Sequence, residues 1–265
     1  MVIVGAWWLM GRSANAPVVT PSPTIAVSAS PTPSPTTAQP VITITSPTVN
    51  ASVDSPILVT GSARVFENQF TVQLRDSAGK VIYHAMVMTD AKDIGLLSNY
   101  KVYLPIPANA TPNLKVEAFA LSPKGDGTYS AYASAKVTLK TTDTSSVYVA
   151  FITGNDCTTT TLFARQVIKS PQYVLLSLME LLKGPGVPEV GLGATTQIPV
   201  GAQINSFHMT GDTAYVDFNS TLSAGVASSC KAQSIRAEIT NTLKQFLGLN
   251  TVVISIDGKV NGILQ

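Results

Sequence analysis

Residues 41–140 consist of short apolar runs, each followed by a turn signal, and this pattern restricts the region to a β-rich fold. Apolar and polar residues alternate in "TVQLRD" and "KVEAFAL", which is the period of a half-buried strand. "DSAGK" at 76–80 and "PKGDGT" at 123–128 place glycine where a hairpin turn needs a positive φ. Seven such runs, at a spacing of roughly 8–12 residues, predict an immunoglobulin-like β-sandwich.

The period of the pattern changes after residue 146. "SPQYVLLSLMELLKGP" predicts a helix that has Ser170 as its N-cap, Pro171 in its first turn and Gly184 as its stop. "CKAQSIRAEITNTLKQFLG" predicts a second helix, and the closing run "TVVISIDGK" is apolar enough to predict a central strand. The resulting order, β-α-β-β-α-β, predicts a small two-layer α/β domain over residues 146–265.

The glycine-rich stretch "LMELLKGPGVPEVGLGATTQIP" at 178–199 is a candidate phosphate loop. A phosphate loop, however, lies between a strand and the N-terminus of a helix, where free N–H groups meet the anion. These glycines follow the C-terminal end of a helix, whose carbonyls repel phosphate and favour a cation such as Lys183. We therefore predict a helix stop with a turn-rich connection, and no cofactor.

The N-terminus combines an apolar run with a proline-rich stretch. "MVIVGAWWLM" has ten residues, whereas a spanning helix needs about 20 and a secretory signal begins with basic residues. Residues 1–12 are either a truncated signal or membrane anchor, or a weak signal-like segment as they stand. Residues 13–40 are uncharged after Arg12 and rich in Pro, Ser and Thr, which predicts a disordered, semi-stiff linker. The N-terminus is thus predicted to hold the folded domains at a membrane.

Composition favours an extracytoplasmic protein over a cytosolic enzyme. Charged residues make up 12% of the chain, about half the usual share, and Ser, Thr, Pro and Gly take their place. The net charge is +2 without a basic run. Nucleic acid is therefore not predicted as a partner.

The cysteines are Cys157 and Cys230. A disulfide between them fits an oxidising compartment and would stabilise the fold by about 4 kcal/mol in the chain-entropy model. Two alternatives stay open: inert buried thiols, or a reactive thiolate at Cys230 favoured by a helix N-terminus. The histidines, His84 and His208, have no zinc-motif spacing to these cysteines, so we predict no metal site.

Carboxylate pairs give weak support for an enzyme. Asp217 and Asp257 could serve a hydrolase only if the fold brought them close together with one pKa raised, and a strand end and a turn explain them equally. Asp90 and Asp93 lack the other oxygens of a calcium loop, so a solvated loop is the simpler interpretation. We predict no catalytic residue and a non-enzymatic protein.

Several motifs in the second half resemble the GerMN domain of sporulation and spore-germination proteins. They are "LMELLKGP", "IPVGAQINSFHMTGDTAYVDFN" and "AEITNTLKQFLGLNTVVISIDG", in this order. The preceding region, with "ITITSP" and "VTGSARVFE", is similar to the immunoglobulin-like domain that accompanies GerMN. The resemblance implies an extracytoplasmic, membrane-held, non-enzymatic protein that assembles envelope complexes. The chain departs from lipid-anchored members because no cysteine follows the apolar run.

The leading hypothesis is a protein-interaction or assembly module that acts through strand edges or domain stacking. Its partners would be other envelope proteins or further copies of the same chain. The alternative is a module that binds cell-wall glycan or peptide, with peptidoglycan as the ligand. Its aromatic platform would be Tyr100, Tyr103, Tyr129 and Tyr132, although ordinary cross-strand packing also explains these rings.

Overall fold

The computed structural model of the chain describes residues 39–261 and 264. The signal or anchor predicted for residues 1–12, and all but the last two residues of the linker predicted for 13–40, lie outside this range. The described residues are mostly β-sheet with few helices. None of the helices among them is long and apolar enough to cross a membrane.

The first region of the described chain forms a β-sandwich, which we call the sandwich domain. Its strands are β1 (Val41–Ile42), β2 (Ala51–Val53), β3 (Ile57–Arg64), β4 (Gln69–Arg75), β5 (Val81–Met88), β6 (Ser98–Leu104), β7 (Asn113–Leu121) and β8 (Tyr129–Leu139). One sheet has the order β1-β3-β6, and the other has the order β2-β8-β7-β4-β5. A short 3₁₀ turn at Phe66–Asn68 carries the chain between them.

Alternation along these strands builds the core between the two sheets. On β7, Leu114, Val116 and Ala118 point inward and are buried, and residues of both sheets share one apolar cluster. Each fully buried aliphatic side chain contributes about 2 kcal/mol. Gly61 lets β1 approach closely, because a Cβ at this position would clash with the carbonyl oxygen of Thr43. The sequence did not predict β2, since a strand of three residues is too short to show a period.

The second region, which we call the C-terminal domain, mixes strands and helices. Its elements are β9 (Thr144–Ile152), β10 (Thr160–Ile168), α1 (Tyr173–Leu181), α2 (Val187–Gly191), β11 (Ile204–Thr210), β12 (Thr213–Phe218), α3 (Ser229–Lys244) and β13 (Thr251–Ile256). β9 and β10 form an antiparallel hairpin, and the other sheet has the order β11-β12-β13. Side chains of α1, α3 and both sheets, among them Leu178, Ile235 and Ile239, form one buried cluster.

The observed order, β-β-α-α-β-β-α-β, differs from the predicted β-α-β-β-α-β by the strand β10 and the short helix α2. One face of β10 carries Arg165, and the other carries the exposed residues Leu162 and Gln166. Because neither face is uniformly apolar, the sequence does not show the alternation that would predict this strand.

Two further predictions in this domain were wrong. β13 lies at a sheet edge rather than in the centre, because β12 takes the central position. Helix α1 begins at Tyr173, with Gln172 as its N-cap, because the Ser170 hydroxyl accepts a hydrogen bond from the Gln172 N–H and closes a turn before the helix.

Candidate functional site

The outer face of the five-stranded sheet carries exposed apolar side chains in two groups, one on β5 and one on β7 and β8, with polar residues of β4 between them. Met86 on β5 pairs with Thr71 on β4, Thr71 pairs with Phe119 on β7, and Phe119 pairs with Tyr132 on β8. Neighbouring positions on the same face extend these two groups. We call the set the apolar sheet face, and it comprises Met86, Met88, Phe119, Leu121, Tyr129 and Tyr132.

The apolar sheet face is open to solvent. Met88 is 68% exposed, Leu121 61% and Met86 57%. The Tyr129 ring stacks on the Tyr132 ring with 5.3 Å between centroids, and Phe119 lies 5.0 Å from Tyr129. Large exposed apolar side chains grouped on one face are a feature of interaction sites on soluble proteins.

A buried carboxylate borders this face. Glu117 on β7 accepts hydrogen bonds from Gln73 Nε2 at 2.6 Å, Arg75 Nε at 2.7 Å and the Tyr132 hydroxyl at 2.8 Å, and it pairs with Lys115 Nζ at 2.8 Å. Burial acts to raise the pKa of Glu117, but these donors outweigh it and lower the pKa to about 2. The cluster thus fixes the orientation of Tyr132 through a carboxylate that stays ionised.

A cleft of about 360 Å³ lies between the two domains. β5 and β6 form one wall through Tyr83, His84, Lys101 and Tyr103. The end of α1 and the start of β11 form the other wall, which includes Met179, Lys183, Gln203 and Asn205. Lys101 Nζ lies 5.2 Å from the centre of the Tyr103 ring, and Lys183 pairs with Glu180 at 2.5 Å. The cleft is a mixed polar and apolar surface at the junction of the domains.

The structure separates the four tyrosines of the predicted aromatic platform. Tyr129 and Tyr132 lie together on the apolar sheet face. Tyr100 is buried in the core, where its hydroxyl donates to the Thr43 carbonyl and its ring packs edge-on against Phe70. Tyr103 faces the cleft.

Phe119, Met86 and Met88 were not predicted from the sequence to lie on an outer face. The signal was present, since these residues occupy the outward positions of alternating runs and are nevertheless apolar.

The structure brings Asp217 and Asp257 close together through one amide. Asn205 Nδ2 lies 3.1 Å from Asp217 Oδ2 and 3.3 Å from Asp257 Oδ1. Asp217 Oδ1 also accepts hydrogen bonds from the Ser255 hydroxyl and the Gly258 N–H. These hydrogen bonds connect the ends of β11, β12 and β13, so Asp217 stabilises the sheet.

The other polar candidates lie at the surface. Asp90 and Asp93 are exposed, and their contacts are through the backbone, to Asn99 and Asn68 respectively. His84 is exposed on β5, and His208 stacks on Tyr215 with 4.7 Å between ring centres. No cluster of metal-ligating side chains occurs within residues 39–261.

Cys157 and Cys230 form a disulfide, with 5.1 Å between their Cα atoms. The bond connects the turn between β9 and β10 to the first turn of α3. The Ser234 hydroxyl donates to the Cys157 carbonyl at 2.9 Å and supports the same junction. Neither cysteine is therefore a free thiol in this structure.

Two further carboxylate sites hold the C-terminal domain together. Glu189 binds the Arg165 guanidinium through two hydrogen bonds, and these hydrogen bonds are the main reason that its pKa is lowered. Glu238 on α3 is fully buried and accepts hydrogen bonds from the Thr196 hydroxyl and the Gln197 N–H. Burial raises the pKa of Glu238 to about 7, since these two neutral donors only partly offset it.

Comparison with protein families gives two matches. Residues 41–127 match the model of the immunoglobulin-like domain of bacterial spore germination. Residues 146–262 match a model described as sporulation and spore germination. The comparison with curated proteins finds no match.

Solved structures similar to this chain include the tandem GerMN domains of the sporulation protein GerM from Bacillus subtilis, at 17% identity and a TM-score of 0.36. That match covers 44% of this chain and 40% of the other. The first GerMN domain of the same protein matches at 21% identity and a TM-score of 0.34, covering 44% of this chain and 85% of the other. A putative lipoprotein from Clostridium perfringens matches at 14% identity and a TM-score of 0.32, covering 46% and 79%.

Proposed function

We propose that this chain, which contains an immunoglobulin-like spore germination domain followed by a sporulation and spore germination domain, is a non-enzymatic interaction module of the bacterial cell envelope. Its partners are other envelope proteins or further copies of the chain. The observation that carries this proposal is the apolar sheet face.

The apolar sheet face supports binding because exposing it to water is unfavourable. Its side chains Met86, Met88 and Leu121 are each more than half exposed. Burying apolar surface contributes about 25 cal/mol per Å², and methionine adapts its shape to different partner surfaces. A protein partner with an apolar patch would therefore gain from covering this face.

The disulfide supports a location outside the cytoplasm. Disulfides persist in oxidising compartments and are rare where thiols are kept reduced. Cys157 and Cys230 are 73 positions apart in the sequence. We propose that the folded domains lie on the outer side of the membrane, held there by the N-terminal segment.

Photo-crosslinking in cells that make the full chain tests the interaction role. We would place a photoreactive amino acid at Met88 in the apolar sheet face and, as a matched control, at Val49, which is 62% exposed elsewhere on the sandwich domain. The proposal predicts a discrete protein adduct from position 88 and none from position 49. Equal adducts at both positions, or none at either, would contradict it.

Cell-wall glycan is a second candidate ligand, favoured by the exposed rings of Tyr129 and Tyr132. They are 49% and 41% exposed, and charged groups of the Glu117 cluster adjoin them. Sedimentation of the full chain with purified peptidoglycan tests this function. Retention that is lost in Tyr129→Ala and kept in Tyr148→Ala, an exposed tyrosine of the C-terminal domain, would support it, and no retention of the wild type would exclude it.

A further inference from the structure

Most strand edges in the described residues are short, irregular or covered. β1 and β2 have two and three residues, and β11 carries a register shift after Ile204. At the edge of β5, Gln203 Nε2 of the C-terminal domain donates to the Met86 carbonyl at 3.2 Å and occupies one position of the strand. Such features prevent an edge from pairing with another strand.

The β9–β10 hairpin has one covered edge. Helix α3 covers β9, since the Ala150 N–H donates to Thr242 Oγ1 at 2.9 Å and Gln245 Nε2 donates to the Tyr148 carbonyl at 2.7 Å. Ile152 exchanges both backbone hydrogen bonds with Thr195 on the same side. The even-numbered residues of β9 therefore direct their backbone groups away from β10.

The pairing register identifies the residues of β10 whose backbone groups point away from β9. Ala150 pairs with Leu162, Tyr148 with Ala164, and Ser146 with Gln166. In an antiparallel ladder both members of such a pair point their N–H and C=O groups away from each other. Leu162, Ala164 and Gln166 thus present their backbone groups on the free side of β10. Among residues 39–261 and 264, no hydrogen bond to these groups is formed.

This open edge is long and accessible. β10 has nine residues, as many as its partner β9 and more than the other edge strands of the described chain. The side chains of Leu162, Ala164 and Gln166 are all exposed. Tyr148 and Leu162, each 46% exposed, add apolar surface beside the edge. The arrangement offers both backbone hydrogen bonds and apolar area to an added strand.

We propose that a second copy of this chain pairs with this edge, so that two β10 strands run antiparallel about a two-fold axis at Ala164. In this register Ala164 lies opposite Ala164 of the second copy, and Leu162 lies opposite Gln166. The same three residues supply donors and acceptors on both sides, which is the self-complementarity of a two-fold interface. Each pair exchanges both backbone hydrogen bonds.

Charge also fits a second copy. The charged side chain of β10, Arg165, is held by Glu189 within its own domain and lies opposite Phe163 in the proposed register. No like charges face each other across the axis, so the pairing carries no electrostatic penalty. Because each copy uses its one β10 edge, the assembly closes at two chains. The inference rests on the proposed assembly function and names its partner and surface.

Charge substitutions at the axis test the pairing. Ala164→Lys and Ala164→Glu each place like charges directly opposite one another in the dimer, on an exposed side chain that the fold tolerates. Mixing the two variants places opposite charges together. Thr138→Lys, an exposed strand position of the sandwich domain, is the matched control. Sedimentation velocity of the full chain reports the mass of the particle. The concentration series should reach the millimolar range, because a small edge interface is weak.

The proposal predicts that the wild type and Thr138→Lys double in mass with rising concentration, that each Ala164 variant stays monomeric, and that their mixture forms dimers again. A monomeric wild type would overturn it, as would association of either Ala164 variant alone, growth beyond two chains, or a mixture that stays monomeric. A monomeric wild type that still gives the Met88 photo-adduct would overturn edge pairing while leaving the broader interaction role intact.

Discussion

The sandwich domain exposes apolar side chains on a sheet face, whereas the C-terminal domain leaves a nine-residue strand edge open. In the sandwich domain, Gln203 bonds to one carbonyl at the edge of β5, and β1 and β2 are very short. β10 has nine residues and an uncovered side. An open face suits a partner with an apolar surface, and an open edge suits another strand. The two domains thus offer two different kinds of contact.

The domains also stabilise themselves differently. In the sandwich domain, Glu117 is surrounded by cations and polar donors and stays ionised. In the C-terminal domain, the buried Glu238 has only neutral donors, and a disulfide fastens the hairpin that carries the open edge. The difference predicts that chemical and pH changes act on one domain at a time.

Among the changes considered, removal of the disulfide should change the free energy of unfolding most. Replacing Cys157 and Cys230 with alanine should lower the free energy of unfolding of the C-terminal domain by about 4 kcal/mol, because the unfolded chain gains freedom. The sandwich domain should be unchanged. Denaturant-dependent hydrogen exchange, read by peptide, separates the two domains. Equal destabilisation of both domains would show that they unfold together and that this contrast is wrong.

Glu238 should make the C-terminal domain less stable as the pH rises. Its pKa of about 7 in the folded state lies above the ordinary value of 4.5, so folding binds a proton between these values. Stability should therefore fall from about pH 4.5 to about pH 7, by up to about 3 kcal/mol. Glu238→Gln cannot ionise and still bonds Thr196 and Gln197, so it should flatten the profile. An unchanged profile in this variant would contradict the assignment.

Glu117 should have the opposite pH dependence in the sandwich domain. Its pKa of about 2 lies below the ordinary 4.5, so its contribution is complete above pH 4.5 and is lost as the pH falls toward 2. Glu117→Ala should lower stability at pH 7 by about 2 kcal/mol, since Arg75 and Lys115 lose a buried partner but stay partly solvated. The control is Ser134→Ala, an exposed neighbour. This prediction would be wrong if Glu117→Ala lowered the stability of the C-terminal domain more than that of the sandwich domain.

Removing the Gln203 side chain from the edge of β5 should change the stability least. Gln203→Ala removes the bond to the Met86 carbonyl, which reaches solvent in its absence, so the loss should be about 1 kcal/mol or less. Thermal unfolding of this variant beside Gln197→Ala, an exposed glutamine outside the proposed pairing edge, measures the difference. If Gln203→Ala also raised self-association, the edge of β5 would have to be counted as a second pairing site.

Much of the fold could be predicted from periodicity and turn chemistry. The alternating run around Val116 and the helical stripe of Ile235 and Ile239 carry strong signals, because each element buries one face. β10 could not be predicted, since its inner face includes the ion pair of Arg165 with Glu189 and its outer face is exposed. The disulfide was favoured from composition, but its role in fastening the hairpin to α3 depends on long-range packing.

The candidate surfaces were predicted only in part. The predicted aromatic platform combined four tyrosines by residue type alone. The pairing register decides which rings share a face, and it directs Tyr100 into the core. The open edge depends on which side of β9 helix α3 covers, and no local pattern encodes this.

Amide hydrogen exchange as a function of protein concentration tests most directly whether the C-terminal domain assembles through its open edge. We predict that the amides of Leu162, Ala164 and Gln166 become protected as concentration rises. The amides of Phe163 and Arg165, which face β9, and that of Phe119 in the sandwich domain should not change. Constant exchange at the three edge amides, or equal protection at all of these positions, would contradict the account.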